Sequence, residues 1–262
     1  MSAAHKATSK PLKENDKAFA KRQEKEETHA SRGRRGPYAS RSSTRESIVA
    51  TAIDLFREKG YANASLSELA RRMGMDPSSL YYYFSSKAEL LASLFKPDMP
   101  QASMEGFSAS FSCTAQLYAL IVQDVVQKCE LPLDFIEMEG VARSNADKFK
   151  NFFERYRIFY HTLIEVIERG IEKGEFKACE ADERAVTILS VNEGLQHHFH
   201  AKQRGELLLA VSGYTVRNHT PEDIGNLSAL SVIPGLLTDK VDYESEVHQG
   251  KRLYALMTQE SR

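Results

Sequence analysis

The chain of 262 residues has few cysteines, no long apolar segment and no sustained alternation of apolar and polar residues. The three cysteines, Cys113, Cys129 and Cys179, are odd in number and widely separated, which argues against a disulfide framework and a structural zinc site. No segment approaches the length of a membrane span, and no apolar run follows the first basic residues as in a secretory signal. We therefore expect a cytoplasmic protein that has no membrane partner.

Motifs for catalysis are also missing. The sequence contains no nucleophile elbow, no phosphate-binding glycine loop and no paired catalytic carboxylates. We therefore predict that the protein is not an enzyme and has no cofactor. The cluster of His197, His198 and His200, with Glu193 four residues before the first, fits either packing within a helix or a divalent metal site. Because further ligands are lacking nearby, we predict no metal site.

Basic residues are concentrated near the start of the chain, although the formal net charge of the whole is −1. Residues 1–43 contain 11 lysines and arginines against 5 acidic residues, and very few large apolar side chains. Such a segment cannot bury enough surface to offset its ordering entropy, so we predict a disordered basic tail. Arg32, Arg34 and Arg35 lie among glycines, which suits a minor-groove arm; the alternative is a solvated tail that gives only diffuse attraction.

Residues 44–95 predict four short helices separated by caps and glycines. Ser43 begins the first helix as part of a capping box, and Gly60 ends it. Ser65 opens the second helix, and Gly74 supplies the left-handed residue that ends it. The remaining two helices follow almost without a break.

The third helix begins only about three residues after the second, since Asp76 is a cap and Pro77 suits the first helical position. It is predicted to extend from Pro77 to Tyr83. Two helices joined so tightly cross steeply, as in a helix-turn-helix, whose second helix enters the major groove of DNA. Ser86 caps the fourth helix, and Lys87 stands in its first turn, where backbone N–H groups favour an anion such as a phosphate.

These segments resemble the DNA-binding domain of the tetracycline-repressor (TetR) family of bacterial transcription regulators. The resemblance rests on TRESIVATAIDLFREKGY, SLSELARRMGM and SSLYYYFSSKAELL, in this order and spacing. It implies that Ser79, Tyr81 and Tyr82 contact DNA, whereas Pro77 and Ser78 occupy positions that vary in the family and leave the operator sequence open. The predicted DNA-binding residues are Thr44, Ser65, Ser67, Pro77, Ser78, Ser79, Tyr81, Tyr82 and Lys87, of which Thr44, Ser65 and Lys87 are predicted phosphate contacts.

Residues 96–262 show helical spacing of apolar residues, which makes the predicted fold class all-α. The resemblance implies that this part binds a small-molecule effector and pairs two subunits. We predict the dimer interface on helices near 181–202 and 221–237. The predicted effector-pocket residues, polar or amphipathic groups on otherwise apolar helices, are Arg143, Tyr156, Tyr160, His161 and Asn192.

The sequence therefore predicts a basic tail at residues 1–43, a helix-turn-helix domain at 44–95 and a helical effector-binding and dimerisation domain at 96–262. The predicted function is repression: a homodimer occupies a palindromic operator in double-stranded DNA under the control of a small molecule. The alternative is a DNA-binding or architectural regulator that has no effector and is controlled by a protein partner. A cavity in the second domain would distinguish the two.

Overall fold

A computed structural model of the chain describes residues 37–95, 109–208 and 217–260. Within these ranges the regular structure is helical, apart from one isolated antiparallel bridge between Phe176 and Leu237. The predicted all-α fold is confirmed. The helices are α1 (Pro37–Asn63), α2 (Leu66–Arg72), α3 (Pro77–Tyr81), α4 (Lys87–Ala92), α5 (Cys113–Glu130), α6 (Phe135–Ser144), α7 (Lys150–Glu172), α8 (Ala181–Gln203), α9 (Pro221–Val232) and α10 (Tyr243–Glu260).

Helix α1 begins earlier than predicted. Its first residue is Pro37, so Ser43 lies inside the helix and is not its N-cap. The reason is local: a proline is pre-organised for the first helical position, and no glycine or second proline follows it before Ser43. Residues 37–43 of the predicted disordered tail are therefore helical, while residues 1–36, including the arginines of the predicted arm, lie outside the described residues.

The predicted caps of the short helices are confirmed where they can be compared. The Ser65 side chain accepts a hydrogen bond from the Glu68 backbone N–H, and the Ser86 side chain accepts one from Glu89 in the same way. Helix α3 is shorter than predicted and ends at Tyr81. The backbone N–H groups of the next three residues all donate to the Leu80 carbonyl, which closes a tight turn in place of a further helical turn. Each cap satisfies N–H groups that have no partner within the helix.

The core of the helix-turn-helix part is completed by residues from beyond it. Buried side chains of α1 to α4, such as Leu55 and Leu80, pack in one cluster with Leu133, Phe135 and Phe152. The buried face of α6 and the start of α7 therefore belong to the same apolar core as the short helices. This packing gives α6 a direct structural connection to the predicted DNA-binding helices.

A second cluster fills the later helices. Its buried residues come from α5, α7, α8, α9 and α10, and helix α5 lies at the centre with most of its length buried. The start of α5 is held by Glu175, whose carboxylate accepts hydrogen bonds from the backbone N–H groups of Cys113 (3.1 Å) and Thr114 (2.9 Å). None of the helices in the described ranges has the length and apolar character needed to cross a bilayer.

Candidate functional site: a nucleic-acid interface and a cleft

The link between α2 and α3 has the geometry of a tight turn. Gly74 adopts φ +63°, a backbone conformation that glycine reaches without steric strain. Two residues later, the Asp76 carboxylate accepts hydrogen bonds from the backbone N–H of Ser78 at 2.8 Å and from its hydroxyl at 2.5 Å. These bonds hold the pKa of Asp76 below its usual range, so α3 begins with a fixed negative charge.

One face of α3 is polar and exposed, while the other anchors the helix. Leu80 and Phe84 are fully buried in the core. Tyr81 and Tyr82 are 54% and 65% exposed, which is unusual for two large aromatic side chains in sequence. Exposed with them are the remaining α3 residues of the predicted interface, Pro77, Ser78 and Ser79.

The predicted DNA-binding residues outside α3, among them the predicted phosphate contacts Thr44, Ser65 and Lys87, are placed differently from one another. Ser65 and Ser67 are exposed, and Thr44 is half-buried within α1. Lys87 is also half-buried: its ammonium donates to the backbone carbonyls of Tyr61 and Ala64, the latter at 2.8 Å. Burial lowers the pKa of Lys87. In this conformation Lys87 therefore stabilises the turn after Gly60, and its phosphate contact stays a prediction.

The same turn is bonded to the later helices. The backbone N–H of Tyr61 donates to the Glu137 carboxylate at 2.9 Å, and Glu137 lies on α6. Nearby, the Arg57 guanidinium donates to the backbone carbonyl of Glu130, the last residue of α5, at 2.7 Å. Two hydrogen bonds thus connect α1 to the end of α5 and to α6.

An open cleft of about 500 Å³ lies among α1, α5, α6, α7 and the residues that follow α4. This volume is within the roughly 300–1,000 Å³ range of small-molecule sites. Its wall is largely apolar and includes five aromatic side chains, together with Ile53 of α1 and Leu94, which follows α4. The aromatic lining residues are Phe95, Phe135, Phe152, Tyr156 and Phe159.

Charged side chains form the floor of the cleft. The Lys128 ammonium lies 3.0 Å from the Asp124 carboxylate, 3.7 Å from Glu193 and 4.3 Å from the centre of the Phe135 ring. Burial raises the pKa of Glu193, an effect that the Lys128 ammonium opposes. The Tyr156 hydroxyl donates to Glu193 at 3.2 Å, and burial raises the pKa of Tyr156, so the hydroxyl remains a donor at neutral pH.

Of the predicted effector-pocket residues, Tyr156 is the one that lines this cleft. Asn192 is fully buried behind the floor, where its amide donates to Asp124 at 2.8 Å and accepts from the Ser228 hydroxyl. Arg143 is exposed and pairs with Glu139, His161 is exposed, and Tyr160 packs against the second core cluster. The cleft therefore does not bring these last three together.

Six polar or charged lining residues were not predicted: Gln123, Asp124, Gln127, Lys128, Glu130 and Arg155. A signal for two of them is present in the sequence, since Asp124 and Lys128 are an oppositely charged pair one turn apart on a helix that is otherwise uncharged until its last residue. Charged residues are rarely buried unless they are paired, so a charged pair among buried positions indicates that both side chains have polar partners inside the fold.

The three histidines of α8 have different surroundings. His200 is buried with its ring 3.4 Å from the Lys128 carbonyl, His197 lies 3.5 Å from the Asp134 carboxylate, and His198 is exposed. Across the described ranges, no three His, Cys, Asp or Glu side chains lie together in a way that could hold a metal ion.

The outer sides of α8 and α9 carry exposed small and apolar residues. On α8, Val186, Ser190 and Gly194 recur at intervals of one turn, and on α9 Leu227 and Leu230 are exposed. These helices coincide with the predicted dimer interface near 181–202 and 221–237. An exposed apolar face of this kind is typical of a surface that another protein covers.

Comparison with known proteins places this geometry in a family. Residues 48–94 match the model for bacterial regulatory proteins of the tetR family. The chain is 25% identical to the fatty acid metabolism regulator protein of Bacillus subtilis over 134 residues, which cover 50% of this chain and 69% of that protein. It is 36% identical over 76 residues to the HTH-type transcriptional regulator EthR of Mycolicibacterium smegmatis, which cover 29% and 35% of the two chains.

Solved structures extend the likeness to about three quarters of the chain or more. The AmtR structure of Mycobacterium smegmatis has a TM-score of 0.53 at 20% identity, with 80% of this chain and 93% of that chain covered. The ketosteroid transcriptional regulator KstR2 of Mycobacterium tuberculosis has a TM-score of 0.51 at 18% identity, with 75% and 96% covered. At these identities the likeness shows a shared fold.

Proposed function

Since the chain belongs to the tetR family of bacterial regulatory proteins, we propose that it is a transcriptional repressor controlled by a small molecule. In this proposal a homodimer occupies a palindromic operator, and a ligand in the cleft changes the separation of the two recognition helices. The observation that carries the proposal is the exposed polar and tyrosine face of α3 above its buried Leu80 and Phe84 anchors.

Helix α3 is suited to the major groove for chemical reasons. Its serine hydroxyls reach phosphates or base edges, and a tyrosine offers both an O–H group and a ring that packs against a thymine methyl. Each contact is weak by itself, and a helix of five residues reads only a few base pairs. Two copies related by a two-fold axis are therefore needed for a long operator.

The exposed faces of α8 and α9 support pairing of two subunits. Val186, Leu227 and Leu230 would become buried if the two helices met their symmetry-related copies, and the small residues Ser190 and Gly194 would allow a close approach. Dimerisation would also fix the distance between the two α3 helices, which must match the spacing of the two half-sites in a palindromic operator.

The walls of the cleft support control by a ligand. Leu94 packs against the core of the helix-turn-helix part and Phe159 packs against the second core cluster, so one occupant of the cleft would contact side chains next to both cores. A preference of about 1–3 kcal/mol for one conformation changes operator affinity by about 5- to 150-fold. The presence of the cleft favours this function over a regulator that has no effector.

The proposal is tested by selecting operator fragments from genomic DNA with the full-length protein. We expect enrichment of a palindromic sequence, and a loss of about 1–3 kcal/mol in binding when Tyr82→Ala is compared with the natural protein. Ile136→Ala, an exposed apolar residue on α6, is the matched control and should bind as the natural protein does. The absence of any enriched sequence would overturn the proposal.

A further inference from the structure

One buried polar atom in the cleft lacks a partner. Gln123 lines the cleft from α5 and is 8% exposed, yet its Oε1 atom has no hydrogen-bond partner among the described residues. A buried polar atom without a partner costs about 1–3 kcal/mol, so a ligand group that satisfies it gains free energy. Rotation about the last side-chain torsion lets this amide present either its carbonyl or its NH2 group.

The charges near Gln123 are already paired. The side chains of Asp124 and Lys128 are 11% and 7% exposed and lie 3.0 Å apart, and Asn192 gives Asp124 a second hydrogen bond. The Glu193 carboxylate lies 3.7 Å from the Lys128 ammonium and accepts a hydrogen bond from the Tyr156 hydroxyl. These charged and polar groups are buried together, and each relies on its partners to offset the free-energy cost of losing its hydration.

A charged ligand would disturb this balance whatever its sign. An anion would meet the carboxylates of Asp124 and Glu193, while a cation would meet the ammonium of Lys128 and the guanidinium of Arg155, which also lines the cleft. Separating a buried pair leaves an uncompensated charge, which costs several kcal/mol. An uncharged head group avoids this cost.

The rest of the cleft is suited to an apolar body. Phe135 and Tyr156 stack with ring centres 5.6 Å apart, and Phe152 and Phe159 continue the same wall. Aromatic walls of this kind hold chains or fused rings by contact area, and a few polar groups then set the orientation. Among the buried polar side chains that line the cleft, Gln123 is the one with an atom that has no hydrogen-bond partner in the described residues.

We propose that the cleft binds an uncharged amphipathic molecule, with its apolar body against the aromatic wall and a hydroxyl or amide head hydrogen-bonded to Gln123. This inference rests on the proposed effector control and specifies the chemical class of the effector.

The test uses four probes with one shared alkyl chain: decanol, decanamide, decanoate and decylamine. Each is titrated into the full-length protein below its aggregation concentration, with calorimetry for Kd and thermal unfolding for Tm. We expect the alcohol and the amide to bind at least about tenfold more tightly than the two ions, which corresponds to about 1.4 kcal/mol. Equal or tighter binding of decanoate or decylamine would overturn the inference.

Two variants locate the effect at the proposed atom. Gln123→Leu replaces the amide by an apolar side chain of similar size and should weaken decanol binding about tenfold. Gln123→Glu adds a negative charge and should reverse the preference toward decylamine. Gln127→Leu is the matched control, since Gln127 lines the cleft but is exposed, and it should leave decanol binding as it is. Equal effects of the leucine substitutions at the two positions would also refute the role of Gln123.

Failure of this inference is distinguishable from failure of the proposed function. Operator binding is measured on the unliganded protein, so DNA recognition is judged before any probe is added. Preferential binding of an ion would refute the uncharged class while leaving effector control in place. Absence of binding by all four probes would refute this ligand class and remove the cleft as support for effector control.

Discussion

The hydrogen bond between Glu137 and the Tyr61 backbone connects α6 to the turn that precedes the helix-turn-helix. We predict that Glu137→Ala destabilises the protein and weakens its operator binding. The Tyr61 N–H donates to the carboxylate at 2.9 Å, and alanine at position 137 has no side-chain acceptor. The same carboxylate attracts the Lys87 ammonium, which holds the Tyr61 and Ala64 carbonyls of the turn.

The magnitude follows from the type of bond. A hydrogen bond to a charged group contributes about 1.5–3 kcal/mol, and water can reach the half-buried Tyr61 turn and replace part of it. We therefore expect a loss of about 1.5–2 kcal/mol in the free energy of unfolding. Glu137→Gln retains an uncharged acceptor and should lose about half as much. A distorted turn would also reduce operator affinity, by about 0.5–2 kcal/mol if the coupling is of ordinary size.

The assay combines urea unfolding with an operator titration followed by fluorescence anisotropy. Glu139→Ala is the matched control, because Glu139 lies on the same helix but pairs with Arg143 at the surface, with side chains 40% and 69% exposed. An exposed pair of this kind contributes about 0.2–1 kcal/mol at most. If Glu137→Ala is no more destabilising than Glu139→Ala, or leaves operator binding unchanged, the reasoning is refuted.

Four further predictions concern packing, pairing, pH and salt. Gly170→Ala should destabilise by about 1–3 kcal/mol in urea unfolding, since its new Cβ would lie 2.1 Å from the Phe176 ring. Leu230→Glu should convert the proposed dimer to monomers in sedimentation experiments, because it places a charge on the exposed face of α9. Burial lowers the pKa of His200 from its ordinary 6.5, so below about pH 6.5 the unfolded chain binds a proton that the folded protein does not. Stability should therefore fall as the pH drops below that value, and His200→Gln should flatten the fall. Replacing the three arginines within residues 31–37 by alanine should flatten the slope of log affinity against log salt.

Each of these predictions has an outcome that would contradict it. Gly140→Ala, at a helical position where nothing lies within 4 Å of the added Cβ, should be neutral or stabilising; an equal loss at both glycines would remove the steric explanation. Ile136→Glu should leave the proposed dimer intact, and dissociation by both glutamate substitutions would point to a general loss of folding. An unaltered pH dependence in His200→Gln, or an unaltered salt slope in the arginine variant, would assign no role to those side chains.

The capping residues show which parts of the fold are readable from sequence. Ser65, Asp76 and Ser86 each accept hydrogen bonds from backbone N–H groups two or three residues ahead, so the signal and the structure it forms are local. Ser43 is the exception. It has the same local pattern, yet the helix already extends from Pro37, because a cap acts only where the preceding residues leave the helical conformation.

The cleft shows the opposite case. Tyr156 was predicted from its amphipathic character on an apolar helix, and it lines the cleft. Arg143 and His161 had comparable sequence patterns, but the rotation of their helices places them in solvent. Periodicity identifies the apolar stripe of a helix, but it does not identify which polar residues at the edge of the stripe turn toward a neighbour.

The sequence alone determined the all-α class, the helix-turn-helix and the exposed face of its recognition helix, because caps, glycines and helical spacing act over a few residues. Only the tertiary structure decided that Glu137 bonds to Tyr61, 76 residues away, and that Asn192 supports Asp124 across 68 residues. It also decided which side chains border the cleft. Such contacts depend on how the helices cross and rotate against one another, which is set by the packing of the whole core and is not encoded in any short segment.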